Sequence, residues 1–226
     1  MTLTTLFRAW ATVLVAMLAA ILLTTAAFAT GAGAQPTCSG KVVLDPGHGG
    51  TDSGAVNTKY GLTEKEQTLD VAKRLKVLLE VDGCTVYMTR TSNSQTLSNN
   101  DRYTYANTTG ARVLISIHMN GSTSPSTDYT TTLFGKWRKD KELANTIFGS
   151  LSALPAANGT GTIATRTPYS FASGVLLKSN MPATIAETVF ITSDREGQLL
   201  SNGTGARQQQ IAQALRVGIE DYLTTH

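Results

Sequence analysis

Between Lys41 and Tyr222 the chain alternates short apolar runs of β-formers with segments whose apolar residues recur at helical spacing. That alternation is the pattern of an α/β domain, in which each helix carries the chain back so that the next strand can pair alongside. The expected strands are Lys41 to Asp45, Thr85 to Thr89, Arg112 to Ile117, Tyr129 to Phe134, Gly174 to Leu177 and Thr184 to Phe190. One helix follows Thr63, with Leu69, Ala72, Leu75, Lys76 and Leu79 at helical spacing and Gly83 beyond its end. A second runs from about Ser98 to Thr109 and stops at Gly110, and a third, Ala206 to Leu223, aligns Ile211, Leu215, Ile219 and Tyr222. Gly121 to Asp128 reads as a polar loop, while Asn158 to Ala172, rich in Thr, Gly and Ala, fits neither period. The expectation is a single α/β domain over residues 41–226, with a mostly parallel or mixed sheet of about six strands flanked by helices.

Ahead of this domain the first 40 residues carry one charge, Arg8, and Trp10 to Leu23 is almost wholly apolar. A basic start, a short apolar run and the small-residue sites Ala27-Phe28-Ala29 and Ala32-Gly33-Ala34 describe a secretory signal peptide over residues 1–34, cut near 29 or 34. Residues 35–40 then form a short linker. The apolar run is short for a membrane span, which needs ~20 residues; an uncleaved anchor is the alternative. Export to the periplasm, the wall or the medium is expected, with no stable membrane insertion after cleavage. A formal net charge of +3 is too small and too scattered to argue for nucleic acid. Two cysteines, Cys38 and Cys84, lie before or at the starts of expected strands. If those strands are parallel neighbours, the cysteines share one sheet edge and can be bridged in an oxidising compartment. The other reading is two small buried thiols.

Two of the strands stop abruptly on histidine, at His48 after Val42-Val43-Leu44-Asp45-Pro46-Gly47 and at His118 after Ser116-Ile117. The chemistry of α/β sheets collects at the carboxyl ends of strands, and neutral imidazole is the commonest protein metal ligand. Paired strand-end histidines therefore point to a metal, although either one alone reads more plainly as a turn or core residue. A catalytic zinc site needs three protein ligands and an open position. In Thr63-Glu64-Lys65-Glu66 the threonine and Glu66 fit a capping box. Glu64 is then free to point from the helix mouth as the third ligand, or to sit as a surface carboxylate favourable to the helix dipole. Glu187 is a lone acid in the apolar run Met181 to Phe190. Desolvation there would raise its pKa toward the range of a general base, unless a salt bridge with a loop cation satisfies it. Asp45 either orients His48 or closes the turn, and Asn120 either meets substrate or fixes its loop.

Taken together, the Asp45 to Gly50 run DPGHGG, the Glu64-Lys65 helix start, Ser116-Ile117-His118 followed by Asn120, and Met181-Pro182-Ala183 with Glu187 resemble the zinc-dependent N-acetylmuramoyl-L-alanine amidases of the type 3 group. Weaker matches stand at Thr89-Arg90, at Arg102 with Ala106-Asn107, and in the last helix. The resemblance covers Lys41 to Tyr222 and implies a twisted mixed α/β sheet. It also implies Zn²⁺ held by His48, Glu64 and His118, Glu187 as the catalytic glutamate, and peptidoglycan as the partner. The implied reaction is hydrolysis of the amide joining the lactyl group of N-acetylmuramic acid to the L-alanine of the stem peptide. A monomer is expected. Some relatives plug the zinc site with a helical insertion; the short interval between His118 and Leu143 leaves little room for one, so an open site is expected. The chain departs from the pattern after Glu187, where Thr188-Val189-Phe190 stands in place of an apolar residue and Gly-Phe. A β-branched residue there would block a close backbone approach that glycine allows. Two readings compete: a zinc peptidase or amidase acting on another amide, and a non-catalytic wall-binding or regulatory module of the same fold.

Overall fold

The computed structural model describes residues 38–226, so the expected signal peptide at 1–34 and the start of the linker lie outside the described residues. The strands are β1 (Lys41–Pro46), β2 (Val56–Asn57), β3 (Leu62–Thr63), β4 (Thr85–Met88), β5 (Val113–Asn120), β6 (Thr131–Phe134), β7 (Tyr169–Ser170) and β8 (Ala183–Phe190). Interleaved with them are the helices α1 (Glu64–Val81), α2 (Asn99–Thr109), α3 (Trp137–Leu151), α4 (Gly174–Lys178), α5 (Asp194–Ser201) and α6 (Ala206–Thr225). Six strands form one mixed sheet in the order β4-β1-β5-β8-β6-β7. The first four are parallel, β6 runs antiparallel to β8, and β7 runs parallel to β6.

The period of two along each strand divides the core into two layers. Val42 and Leu44 of β1 and Val113, Ile115 and Ile117 of β5 face α1, α3 and α6, whose stripes Leu75-Leu79, Leu143-Ile147 and Ile211-Leu215 are fully buried. Val43, Leu114, Ala183 and Ile185 face the other way, against Ala106 of α2 and Val175-Leu176 of α4. This second cover is thin. Where it ends, the same faces continue as Asp45, Ser116, His118 and Glu187, and a cleft of about 470 Å³ opens over them. Among the described residues no helix separates β5 from β6.

The expected strand at Gly174 to Leu177 is instead helix α4. Adjacent Val175 and Leu176 are both buried while Leu177 is exposed, which alternation forbids and one helical turn permits. Short apolar runs do not separate the two periods on their own. The sixth strand is β7, inside the segment 158–172 that fitted neither period. At α1 the capping box expected at Thr63 is not formed: the Thr63 side chain makes no cap bond to the helix backbone, and its hydroxyl donates to Glu66 Oε2 at 2.7 Å. The reciprocal box stands at α2, between Ser98 and Asp101. Cys38 and Cys84 are joined as a disulfide with Cα atoms 5.2 Å apart, at the amino edge of the β1–β4 pair, so the reading as free thiols is set aside.

The Thr188-Val189 departure has a local explanation. His118 pairs with Glu187, but Asn120 pairs with Phe190, so β8 carries one more residue than β5 across this interval. Such a bulge re-aims the side chains that follow it. Val189 consequently turns away from the cleft and is fully buried in the layer that holds α1 and α6. Thr188 donates its hydroxyl to the carbonyl of His118 at 3.1 Å, locking the bulged strand to its neighbour. Val189 does not crowd Glu187.

Candidate metal centre

His48 stands in the loop after β1 with φ +60°, making it the one non-glycine residue with positive φ among the described residues. Left-handed backbone at a residue with a side chain is strained and persists where the surroundings hold it. The loop needs its glycines for space. A Cβ on Gly47 would overlap the His118 ring, and one on Gly54 would lie 2.5 Å from Glu64 Oε2 and 2.6 Å from His48 Cδ2.

Glu64 is the first residue of α1 and is almost fully buried, so the surface-carboxylate reading does not apply. Its carboxylate accepts backbone N–H bonds from Ala55 (2.9 Å) and Met119 (3.0 Å). His48 Nε2 lies 3.0 Å from Oε2, and His118 Nδ1 lies 2.9 Å from Oε1. One donor atom from each of the three residues lies within 4.8 Å of the others. Burial alone would lower the His48 pKa, but the bonds to Glu64 and Asp52 raise it to about 9. Burial alone would raise Glu64, but His118 and then His48 hold it well below the usual carboxylate range. The carboxylate is thus ionised and faces two imidazoles. Two borderline nitrogens and one hard oxygen converging on one point are a donor set suited to a divalent ion such as zinc, and these residues fit one.

Glu187 pairs in register with His118 and meets the same cleft. Burial pushes its carboxyl up, the charge of His118 opposes that rise, and Glu64 adds to it. Among the described residues no lysine or arginine forms a salt bridge with it, and the charges acting on it are those of His118, Glu64 and His48. Asp45 does not touch His48. Its oxygens bond Arg102 Nη1 (2.7 Å), Thr89 Oγ1 (2.6 Å) and Ser116 Oγ (2.6 Å). Burial raises its pKa, yet Arg102 first and then the two hydroxyls hold it low. The carboxylate that does orient His48 is Asp52, whose Oδ2 lies 2.8 Å from Nδ1 and leaves Nε2 directed at Glu64. Sequence reasoning missed it, although it is the only acid in the glycine-rich loop four residues on. Asn120 fixes its own loop, accepting from Gly121 N at 2.9 Å, while lining the cleft. Tyr169 and Phe171 form an exposed aromatic stretch of the opposite wall that no sequence motif marked.

Fold and site together define a class, an α/β domain with a two-histidine, one-carboxylate group at its strand ends and an acid beside it. The chain belongs to the N-acetylmuramoyl-L-alanine amidase family, whose model matches residues 42–221. It is 31% identical over 191 residues to the N-acetylmuramoyl-L-alanine amidase LytC of Bacillus subtilis (strain 168), covering 83% of this chain and 36% of that protein. It is 34% identical to the probable cell wall amidase LytH of Staphylococcus saprophyticus, covering 84% of this chain and 61% of that one. The chain thus spans less than two thirds of the length of these curated relatives. The crystal structure of N-acetylmuramoyl-L-alanine amidase from Clostridium difficile 630 superposes with a TM-score of 0.72 at 31% identity, over 82% of this chain and 97% of that one.

Proposed function

We propose that this chain is an exported zinc hydrolase that cleaves the amide between N-acetylmuramic acid and L-alanine in peptidoglycan, acting as a monomer, with His48, Glu64 and His118 as the metal ligands and Glu187 as the general base. The observation that carries it is the placement of one desolvated acid, Glu187, in register with His118 at the rim of a preassembled donor triad. Zinc bound there supplies Lewis acidity at the scissile carbonyl and makes the attacking water more acidic. The protein's own groups do the rest. Glu187, its proton affinity raised by burial, takes the proton of the water as the C–O bond forms. It then delivers that proton to the leaving amine as the C–N bond breaks. Asp52 keeps His48 in the orientation that presents Nε2, and the backbone N–H groups of Ala55 and Met119 fix the Glu64 carboxylate between the two imidazoles. Membership of the N-acetylmuramoyl-L-alanine amidase family and the likeness to the amidase of Clostridium difficile 630 support the choice of the muramyl amide over other amides. The disulfide at Cys38–Cys84 supports an oxidising compartment.

Glu187→Ala in the purified mature protein is the test. Zinc content should stay at the wild-type level while release of stem peptides from peptidoglycan is lost; retained turnover would move the base elsewhere.

A further inference from the structure

We propose that Arg90 and Arg102 are positioning residues that bind the backbone of His48 to that of Glu64 and so set the geometry of the donor triad, an inference that rests on the metal reading of that triad. Strand β1 ends at Pro46, and beyond it three successive carbonyls, of Pro46, Gly47 and His48, turn into the protein with no sheet or helix ladder to receive them. Buried carbonyls need donors. Both arginines supply them. Arg90 Nε donates to Pro46 O (2.9 Å), and Arg90 Nη2 donates to Gly47 O (2.8 Å), to Lys65 O (2.7 Å) and to Thr68 Oγ1 (3.1 Å). Arg102 Nη1 donates to Pro46 O (2.9 Å) and Asp45 Oδ1, and its Nη2 donates to His48 O (2.8 Å).

One nitrogen of Arg90 therefore joins the residue before His48 to the residue after Glu64. Gly47 N also donates to Ile117 O at 2.9 Å, tying the same peptide to the strand that ends in His118. All three donor-bearing segments meet at Gly47. Arg102 holds the carbonyl of His48 itself, the residue with φ +60°. Charge does not explain this placement, because two guanidinium groups beneath a cation site with one carboxylate, Asp45, between them disfavour a further cation. What a guanidinium offers is a planar fork of five donors, which the compact ammonium of lysine cannot reproduce. The weak sequence matches at Thr89-Arg90 and at Arg102 thereby acquire a role.

The experiment compares Arg90→Lys and Arg102→Lys with Arg207→Lys, which alters a buried arginine paired with Glu196 away from the cleft. Zinc affinity is read by competition with a chromophoric chelator, at a temperature where circular dichroism shows each variant folded. The charge-conserving variants at 90 and 102 should bind zinc about 10- to 100-fold more weakly, and Arg207→Lys should bind as wild type does. Variants at 90 and 102 that melt earlier yet bind zinc normally would overturn the proposal. If neither folds, Thr68→Val removes one hydroxyl of the clamp and keeps both arginines. A several-fold weaker affinity supports the clamp, and an unchanged one overturns it. Wild-type protein that takes up no zinc would defeat the metal reading instead. The clamp is then decided by amide exchange at residues 47–50 in metal-free protein: faster in the two variants than in Arg207→Lys if it holds, equal in all three if it does not.

Discussion

The two edges of the parallel β4-β1-β5-β8 block are built on opposite terms. At the amino edge Cys38 is bonded covalently to Cys84, and Thr85 N reaches Gly40 O to start the β1–β4 pairing. At the carboxyl edge the same strands run out into buried charges, a left-handed histidine and carbonyls that only side chains can satisfy. One edge lowers the entropy of the unfolded chain. The other holds strained, polar geometry in place for chemistry, as functional sites in folded proteins commonly do. Stability and activity should therefore respond separately to substitutions at the two edges.

The sharpest separation is expected at Glu187. Glu187→Gln should lower turnover about 10²- to 10⁴-fold while melting temperature and zinc content hold; a matching loss of stability would erase the distinction. Because the carboxyl must be ionised to accept a proton and burial raises its pKa, the wild-type rate should fall as pH drops through that raised value. Residual activity of Glu187→Gln should lack this acid limb. At the other edge, replacing Cys38 and Cys84 together by serine should cost about 2–4 kcal/mol in denaturant unfolding, with the folded fraction turning over substrate as before. Between the edges lies the bulge. Val189→Ala should cost about 1.5–3 kcal/mol from lost burial and leave turnover unaltered, since Val189 faces the core. A large drop in turnover there would mean that the bulge aims Glu187 only when Val189 anchors it.

What the sequence made legible was local. The two histidines announce themselves because a β-run ends on each, and Glu187 stands out because it is the one charge in an apolar strand. The capping box that singles out Glu64 in the sequence does not form; Glu64 is held by the amides of Ala55 and Met119, and the latter lies 55 residues away in sequence. The mistaken strand at Gly174 to Leu177 shows the same limit, since the three apolar residues Val175, Leu176 and Leu177 do not choose between periods and the sheet edge is taken by β7. The bulge in β8 depends on its register with β5, and the clamp on contacts such as Arg102 to His48, 54 residues apart. Pairings over such distances leave no periodic trace in the chain.

If zinc at this triad and Glu187 together cleave the muramyl–alanine amide, the reaction must depend on zinc and leave a defined pair of products. The direct measurement is digestion of purified sacculi by the mature protein, with and without complete zinc removal, followed by mass analysis of the products. Stem peptides beginning with free L-alanine, together with glycan bearing intact lactyl carboxyls, are expected, and only when zinc is present. New termini within the peptide, or the same products from zinc-free protein, would contradict the claim.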